Sequence, residues 1–299
     1  MKLTTLERNG SRRLGVKTDK GVVDVAAALE ARPSSEPVAA NVMDVIEGGE
    51  RALAALRNYI AELPLDESAD YLLSEDEISW GPCVPQPSKI ICVGLNYRKH
   101  AEETNSPIPQ YPILFNKFNN TLTGHRKDIA IPKVTQKLDY EAELTIVIGK
   151  KAKDVPKEKA LDYVFGYCCV NDLSARDLQL RTPQWLLGKT CDDFSPLGPW
   201  LVTADEVGNP NDLEIKAIVN GEVRQHSNTS DMIFPCDEIV SYISRHMTLV
   251  PGDIILTGTP EGVVLGYPPE KQVYLQPGDE VTIEIEKLGA LTNRFVAEE

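Results

Sequence analysis

The segment KLDYEAELTIVIGKK, Lys137 to Lys151, places three carboxylates on alternate residues of a chain with strong strand propensity. Alternate residues of a strand point to the same face, so Asp139, Glu141 and Glu143 would share one side. Successive carboxylates would lie about 7 Å apart, and burying each without a partner would cost several kcal/mol. The segment therefore predicts a strand whose acidic face is neutralised by a positive group from elsewhere.

The composition is that of a globular protein with a substantial core. The chain has 299 residues, of which 42% are hydrophobic and 25% charged, enough for one large domain or a large and a small one. No run of 18 apolar residues is present, so we expect no membrane-spanning helix and no membrane partner. The net charge of −14 argues against nucleic acid as a partner, because such binding requires clustered Lys and Arg.

The cysteines and the first residues of the sequence bear on its location. None of the six cysteines forms a C-x-x-C pair or stands beside a histidine at zinc-ligand spacing. The first fifteen residues contain no apolar core of a signal peptide. These observations predict reduced, buried thiols in a cytoplasmic protein.

Two regions of different character are visible along the chain. Residues 1–78 combine short strand patterns with a helical segment at residues 42–62 that a glycine pair interrupts. An acidic stretch and the proline-rich PCVPQP then precede a strand-rich region. We predict a mixed α+β, β-dominated fold, with a small N-terminal α+β domain at 1–78 and a catalytic domain at 79–299. Neither a Walker loop nor G-x-G-x-x-G occurs, so nucleotide binding has no support.

Glu141 and Glu143 could converge on one hard cation. Mg²⁺ and Mn²⁺ prefer oxygen ligands, and a third carboxylate could come from Asp172, at the end of the strand pattern YVFGYCCVND. Two simpler readings stay open at this point. Alternating glutamates are common on solvent-facing strands, and Asp172 could cap the next helix, although Ser174 and Asp177 already have capping-box spacing there.

Other candidate residues are a histidine, a glutamate and a lysine. His100 and Glu103, three apart on a helical face, could form a general base, because a carboxylate on one ring nitrogen raises the basicity of the other. Lys189, in LLGKT, is flanked by apolar residues. Taken alone, His100 could be an ordinary surface histidine and Lys189 a surface lysine that packs its stem on apolar neighbours.

Six ordered segments resemble the fumarylacetoacetate hydrolase family. They are ICVGLNYRKHAEE, LDYEAELTIVIGKKAKDV, VFGYCCVNDLSARDLQ, QWLLGKTCDDFSPLGPWLV, VNGEVRQHSNTSDMIF and PGDIILTGTPEGVVLGY. The resemblance covers about residues 88–295, and ARDLQLRTPQWLLGKTCDDFSPLGP is most similar to the branch that includes acylpyruvases and oxaloacetate-handling enzymes.

This resemblance implies a fold, a cofactor and a set of site residues. The fold would be a β-sandwich roll, with one Mg²⁺ or Mn²⁺ per subunit on Glu141, Glu143 and Asp172. The catalytic residues would be His100, Glu103 and Lys189. The substrate-binding residues would be Arg176, Gln179, Thr259 and Lys117. Asp139 would stand behind the ligands, residues 105–112 would belong to a lid over a small 2-oxo acid, and the protein would be a homodimer.

The reaction expected from the resemblance is hydrolysis of a C–C bond. A 2,4-dioxo acid of the acylpyruvate or fumarylacetoacetate type would be cleaved through a pyruvate enolate, with water activated by His100 and Glu103. Decarboxylation or keto–enol tautomerisation of oxaloacetate could use the same site and stays an alternative. A metal-dependent nuclease also fits an acidic cluster with a lysine, but the acidic composition, without a basic stripe, argues against it.

Overall fold

Three sheets of twelve, five and two strands form the described fold, which is 34% strand and 27% helix. The computed structural model describes residues 1–8, 10–66 and 69–299. The strands before the site are β1 Lys2–Arg8, β2 Ser11–Thr18, β3 Gly21–Asp24, β4 Leu72–Leu73, β5 Trp80–Gly81, β6 Ile90–Gly94, β7 Ile113–Lys117, β8 Leu122–Thr123 and β9 Asp128–Ile131. The later strands are β10 Leu138–Asp139, β11 Ala142–Ile148, β12 Val164–Asn171, β13 Ser174–Ala175, β14 Ser195–Thr203, β15 Glu214–Val219, β16 Glu222–Asn228, β17 Ile254–Leu256, β18 Glu280–Ile285 and β19 Gly289–Ala297.

The helices are short except for two. They are α1 Val25–Ala31, α2 Val42–Glu62, α3 Arg98–Glu103, α4 Arg176–Gln179, α5 Leu186–Lys189, α6 Ala204–Val207 and α7 Cys236–His246. The expected interruption of α2 is present, because Gly49 has φ 58° and ψ −142° and breaks the helix in two. Among the described residues, none of these helices is both long and apolar enough to cross a membrane.

The large sheet has the order β4-β3-β2-β1-β14-β12-β11-β17-β6-β7. The small sheet, β16-β15-β18-β19-β9, packs against β11, β12 and β14. Side chains such as Leu144, Tyr167 and Phe295 fill the space between the two sheets. Both sheets are mainly antiparallel, with parallel pairs such as β17–β6 and β19–β9. Such face-to-face packing of two sheets buries the inward side of each strand. The prediction of a β-dominated mixed fold is confirmed.

The N-terminal residues are joined to the rest through the large sheet. Strand β1 pairs with β14, with Leu3 opposite Leu201, and β5 pairs with β1. The division into domains at residues 78 and 79 stays a prediction, and backbone pairing crosses it. The six cysteines are free thiols, five of them buried.

Candidate active site

Three buried carboxylates meet where β11 begins and β12 ends. These strands are antiparallel with Ala142 opposite Asn171, so Glu141, Glu143 and Asp172 are brought to the same end of the pair. Their ligand oxygens all lie within 4.8 Å of one another, and the three residues are at most 5% exposed. The predicted strand is interrupted at Tyr140 and Glu141, between β10 and β11. The solvent-facing reading of the glutamates is therefore wrong.

Three cations supply the positive charge that the acidic segment requires. Lys189 Nζ lies 2.6 Å from Glu141 Oε2 and 2.7 Å from Asp172 Oδ2. Lys117 Nζ donates to Asp172 Oδ1 at 2.6 Å. Arg176 contacts Glu141 through Nη1 at 2.8 Å and Asp139 through Nε at 2.8 Å.

Asp172 binds lysines and does not cap a helix. Its side chain is held by Lys117 and Lys189, as described above. The capping box expected from Ser174 and Asp177 does not form either: Ser174 Oγ donates to the Asp172 carbonyl, and Asp177 accepts from Thr135 Oγ1. The capping interpretation is therefore wrong, because the carboxylates of Asp172 and Asp177 have partners distant in the chain and the Ser174 hydroxyl bonds to a carbonyl two residues before it.

The charges at this cluster do not balance. Asp139, Glu141, Glu143 and Asp172 are four carboxylates, against the three cations Lys117, Arg176 and Lys189, which leaves one negative charge in excess. Within the described residues, Glu143 has no ion pair, and its Oε2 accepts only the Gly258 backbone N–H at 2.8 Å. Glu143 is thus the carboxylate whose charge lacks a protein partner.

The pKa values of the two glutamates diverge for this reason. Burial raises the pKa of Glu141, but Lys189 and Arg176 outweigh burial and lower it to about 2. Burial, together with the negative charges of Asp172 and Glu141, raises the pKa of Glu143 well above 4.5. Such opposite shifts of neighbouring carboxyls are characteristic of functional sites.

A divalent cation fits these residues. The donors are carboxylate oxygens, which Mg²⁺ and Mn²⁺ prefer, and one oxygen of each of the three residues lies within 4.8 Å of the other two. A bound cation would neutralise the excess charge that now falls on Glu143. The protein groups behind the cluster also orient it, since Asn171 Oδ1 accepts from the Glu141 backbone N–H at 2.9 Å.

His100 and Glu103 form the expected pair on α3. The distance from His100 Nδ1 to Glu103 Oε1 is 2.8 Å, and the His100 ring lines the same cavity as the carboxylates. With Nδ1 occupied by Glu103, Nε2 is the atom available to move a proton in the cavity. The surface reading of His100 is wrong, because the side chain is buried.

The cavity above the carboxylates has a volume of about 150 Å³. Arg176, Gln179, Thr259 and Lys189 line it, together with an apolar wall that includes Trp185. The Thr259 hydroxyl is already engaged, because it donates to the Ala142 carbonyl and accepts from the Gln225 amide. A substrate oxygen could accept a hydrogen bond from that hydroxyl only in place of the Ala142 carbonyl, because the hydroxyl has a single hydrogen to donate.

Lys117 differs from the expectation. It was expected to bind substrate, but it is not among the described residues that line the cavity. Its Nζ lies behind Asp172, between Oδ1 of that residue and the Phe194 carbonyl, both at 2.6 Å. Lys117 therefore orients a carboxylate of the cluster. The sequence could not reveal this, because β7 and Asp172 are 55 positions apart in the chain.

The structure also adds residues that sequence reasoning missed. Gln225, on β16, is buried and connects the Ala142 N–H to Thr259. Nothing in the sequence around Gln225 distinguishes it from a surface glutamine of a hairpin. Asp139, which was expected behind the ligands, accepts from Arg176 and from the backbone N–H groups of Val264 and Leu265.

Comparison with known proteins identifies the family. Residues 89–296 match the family described as Fumarylacetoacetate (FAA) hydrolase C-terminal. The chain belongs to the fumarylacetoacetate hydrolase family. It is 42% identical over 291 residues to the mitochondrial oxaloacetate tautomerase of Xenopus laevis, an alignment that covers 96% of this chain and 86% of that protein. It is 41% identical over 283 residues to the oxaloacetate tautomerase YisK of Bacillus subtilis, covering 93% of each.

A solved structure of the family carries a metal. The maleylpyruvate hydrolase of Sphingobium sp. SYK-6, in complex with manganese(II) and pyruvate, is 31% identical with a TM-score of 0.80 over the full length of both chains. The chain is therefore a member of a family of metal-dependent enzymes, with an acidic triad suited to a metal ion.

The expected cytoplasmic location is contradicted. The Xenopus, bovine and human relatives are named as mitochondrial proteins. The expectation rested on the lack of a secretory signal and on cysteine usage. Neither observation distinguishes the cytoplasm from the mitochondrial matrix, because mitochondrial import uses Arg-rich amphipathic segments instead of an apolar core.

Proposed function

We propose that this protein is a divalent-metal-dependent oxaloacetate tautomerase that interconverts the keto and enol forms. The observation that carries the proposal is an unused nitrogen of Arg176. Its Nε and Nη1 are held by Asp139, Glu141 and Gln179, but Nη2 is buried and has no partner among the described residues. A buried donor left unpaired costs about 1–3 kcal/mol, so a ligand acceptor is expected there. A carboxylate of a small dicarboxylic acid supplies one.

The size and charge of the cavity agree with this substrate. Its ~150 Å³ is below the range of about 300–1,000 Å³ typical of sites for drug-sized ligands, as suits a four-carbon acid. Relatives 41–42% identical over more than nine tenths of the chain are oxaloacetate tautomerases, which supports the tautomerase alternative over the hydrolase that the sequence favoured.

The site residues have different roles in the proton transfer. A Mg²⁺ or Mn²⁺ ion, one per subunit, held by Glu141, Glu143 and Asp172, would supply Lewis-acid polarisation of the 2-oxo group. His100 Nε2 takes a proton from C3, and the electron pair of that C–H bond forms the C2=C3 double bond. The C=O electron pair moves to the C2 oxygen, which takes the proton from His100 Nε2, so the base is restored. The reverse transfer restores the ketone.

Lys189 is the electrophile of this scheme and not its base. Burial lowers the pKa of its ammonium, but Asp172 and Glu141 outweigh burial and raise it overall, so the group stays charged. A buried ammonium beside the C2 oxygen stabilises developing negative charge, and one such donor is worth about 10²–10³ in rate.

Hydrolysis of acylpyruvates is the second candidate. Two observations favour it. The intact His100–Glu103 pair could activate water. One of the related solved structures is a maleylpyruvate hydrolase. Decarboxylation of oxaloacetate would require neither water nor a base.

We further propose a homodimer, which light scattering would test.

One assay separates these reactions. Oxaloacetate enol is followed by its ultraviolet absorbance, pyruvate release is measured from oxaloacetate and from an acylpyruvate, and each reaction is run with Mg²⁺, with Mn²⁺ and with EDTA. A control reaction with the Lys189→Met variant and the same metal measures catalysis by free ions. We expect metal-dependent loss of enol absorbance without pyruvate release. Pyruvate formation from an acylpyruvate at a higher kcat/KM would favour the hydrolase, and loss of enol no faster than in the control would reject the tautomerase.

A further inference from the structure

The Glu103 carboxylate is held on both oxygens. Oε1 contacts His100 Nδ1 at 2.8 Å, and Oε2 accepts the backbone N–H of Gly262 at 3.0 Å. Helix α3 has six residues and no side-chain cap at its N-terminus. So short a helix has little stability of its own, because helix nucleation is unfavourable. The position of Glu103, and through it the His100 ring, therefore depends on the loop that contains Gly262.

Gly266 lies directly against the same carboxylate. A Cβ on Gly266 would lie 2.4 Å from Glu103 Cδ and 2.5 Å from Oε2, closer than atoms can approach. Gly266 is not one of the glycines with positive φ, so the backbone itself would accept any residue. The three nearest atoms all belong to the far end of the flexible Glu103 side chain, which can move away. Glycine at 266 is thus required by the place of Glu103 and not by the fold.

The loop around these two glycines is fixed to the acidic cluster. Tyr140 Oη donates to the Gly262 carbonyl at 2.9 Å, and the N–H groups of Val264 and Leu265 donate to Asp139 at 2.9 and 3.0 Å. Tyr140 and Asp139 immediately precede Glu141. The loop therefore links the carboxylate cluster to the His100–Glu103 pair, so the position of the pair depends on the position of the cluster.

We propose that Gly262 and Gly266 form a seat for the Glu103 carboxylate, and that this seat positions His100 for proton transfer. Gly266 is then a positioning residue, since it touches neither substrate nor metal ligand. The proposal rests on the proposed role of His100 in the reaction. The seat fixes which ring nitrogen carries the proton, because a carboxylate on Nδ1 favours a proton on Nδ1 and leaves Nε2 free to accept one.

The kinetic test is a double-mutant cycle between Gly266→Ala and Glu103→Ala. We expect Gly266→Ala to unfold at the same urea concentration as the wild type but to lose about 100-fold in kcat for oxaloacetate, the cost of a misplaced catalytic group. In the Glu103→Ala background, where the colliding carboxylate is gone, the same change should have no further effect. Equal losses in both backgrounds, or a marked fall in stability of Gly266→Ala, would overturn the proposal.

A spectroscopic test is independent of the reaction. The chain has four histidines, so nitrogen-15 signals of the labelled rings can be assigned by substitution. The metal-free wild type should show His100 with the proton on Nδ1, and Gly266→Ala should show a mixture of both tautomers. His226 and His246, whose rings contact Glu214 and Tyr242, serve as internal controls. An unchanged His100 pattern in Gly266→Ala rejects the seat even if the protein is no tautomerase, and an altered pattern supports it in either case.

Discussion

Lys189 Nζ lies 2.6 Å from Glu141 Oε2 and 2.7 Å from Asp172 Oδ2, so one ammonium group joins carboxylates from two neighbouring strands. The third carboxylate, Glu143, has no such partner among the described residues. This asymmetry makes Glu143 the group whose charge depends most on a bound cation, and the first predictions follow from it.

Glu143→Gln should weaken metal binding by more than 100-fold. Loss of groups behind metal ligands typically costs 10–100-fold in affinity, and loss of a charged ligand should cost more. Titration calorimetry with Mn²⁺ measures the affinity. Glu270→Gln, at an exposed position, is the control and should bind as the wild type does. Equal affinity of both variants would remove Glu143 from the ligand set.

The metal-free protein should lose stability as pH rises, through Glu143. Its pKa in the folded protein is raised above 4.5, so the folded state holds the proton more tightly than the unfolded state does. That contribution to the free energy of unfolding is fully present below about pH 4.5 and is lost as pH rises through the folded-state pKa. Glu143→Gln lacks this contribution, so the stability of the variant relative to the wild type should increase as pH rises from about 4.5 through the folded-state pKa of Glu143.

Urea unfolding in EDTA at several pH values measures this difference. Saturating Mg²⁺ should raise the stability of the wild type relative to the variant at pH 8, because an ion at 100 times its Kd stabilises the wild type by about 2.7 kcal/mol. A stability difference between the two proteins that does not change with pH in EDTA would contradict the prediction.

Arg176→Lys should raise the KM for oxaloacetate about 10- to 100-fold. Lysine keeps the charge but not the planar fork, which holds Asp139 and Glu141 and leaves Nη2 without a partner among the described residues. A hydrogen bond to a charged group contributes about 1.5–3 kcal/mol, which corresponds to that change. Arg181→Lys, an exposed neighbour, is the matched control for steady-state kinetics. An unchanged KM would show that Nη2 holds no substrate carboxylate.

Gly262→Ala should destabilise the protein by about 2–4 kcal/mol, unlike Gly266→Ala. Gly262 has φ 98°, and a Cβ would lie 2.1 Å from the Arg224 carbonyl oxygen, which belongs to rigid backbone. Urea unfolding of both variants provides the comparison. Similar midpoints for the two would mean that the loop can shift as a whole, contrary to its fixed contacts.

Local pattern was enough to suggest the carboxylates and the histidine pair as candidates. Residue alternation placed Glu141 and Glu143 on one face, the end of a buried strand placed Asp172, and a spacing of three placed His100 beside Glu103. Each of these depends on geometry within a few residues. The family resemblance supplied the third ligand and the lysine that local pattern left open.

The counter-charges were beyond local pattern. Lys117 and Asp172 are 55 positions apart and meet only because β7 lies on the same sheet as β12. For the same reason Lys117 was expected at the substrate and not behind a carboxylate. Gly266 resembles any loop glycine until the position of Glu103 is known, since its backbone angles need no glycine.

The most direct test of the central claim is anomalous diffraction from a crystal soaked in Mn²⁺. We predict one strong peak per subunit, within bonding distance of Glu141, Glu143 and Asp172. This peak should disappear in Glu143→Gln crystals. A well-ordered crystal with no peak among these carboxylates, or with an equal peak in Glu143→Gln, would contradict it.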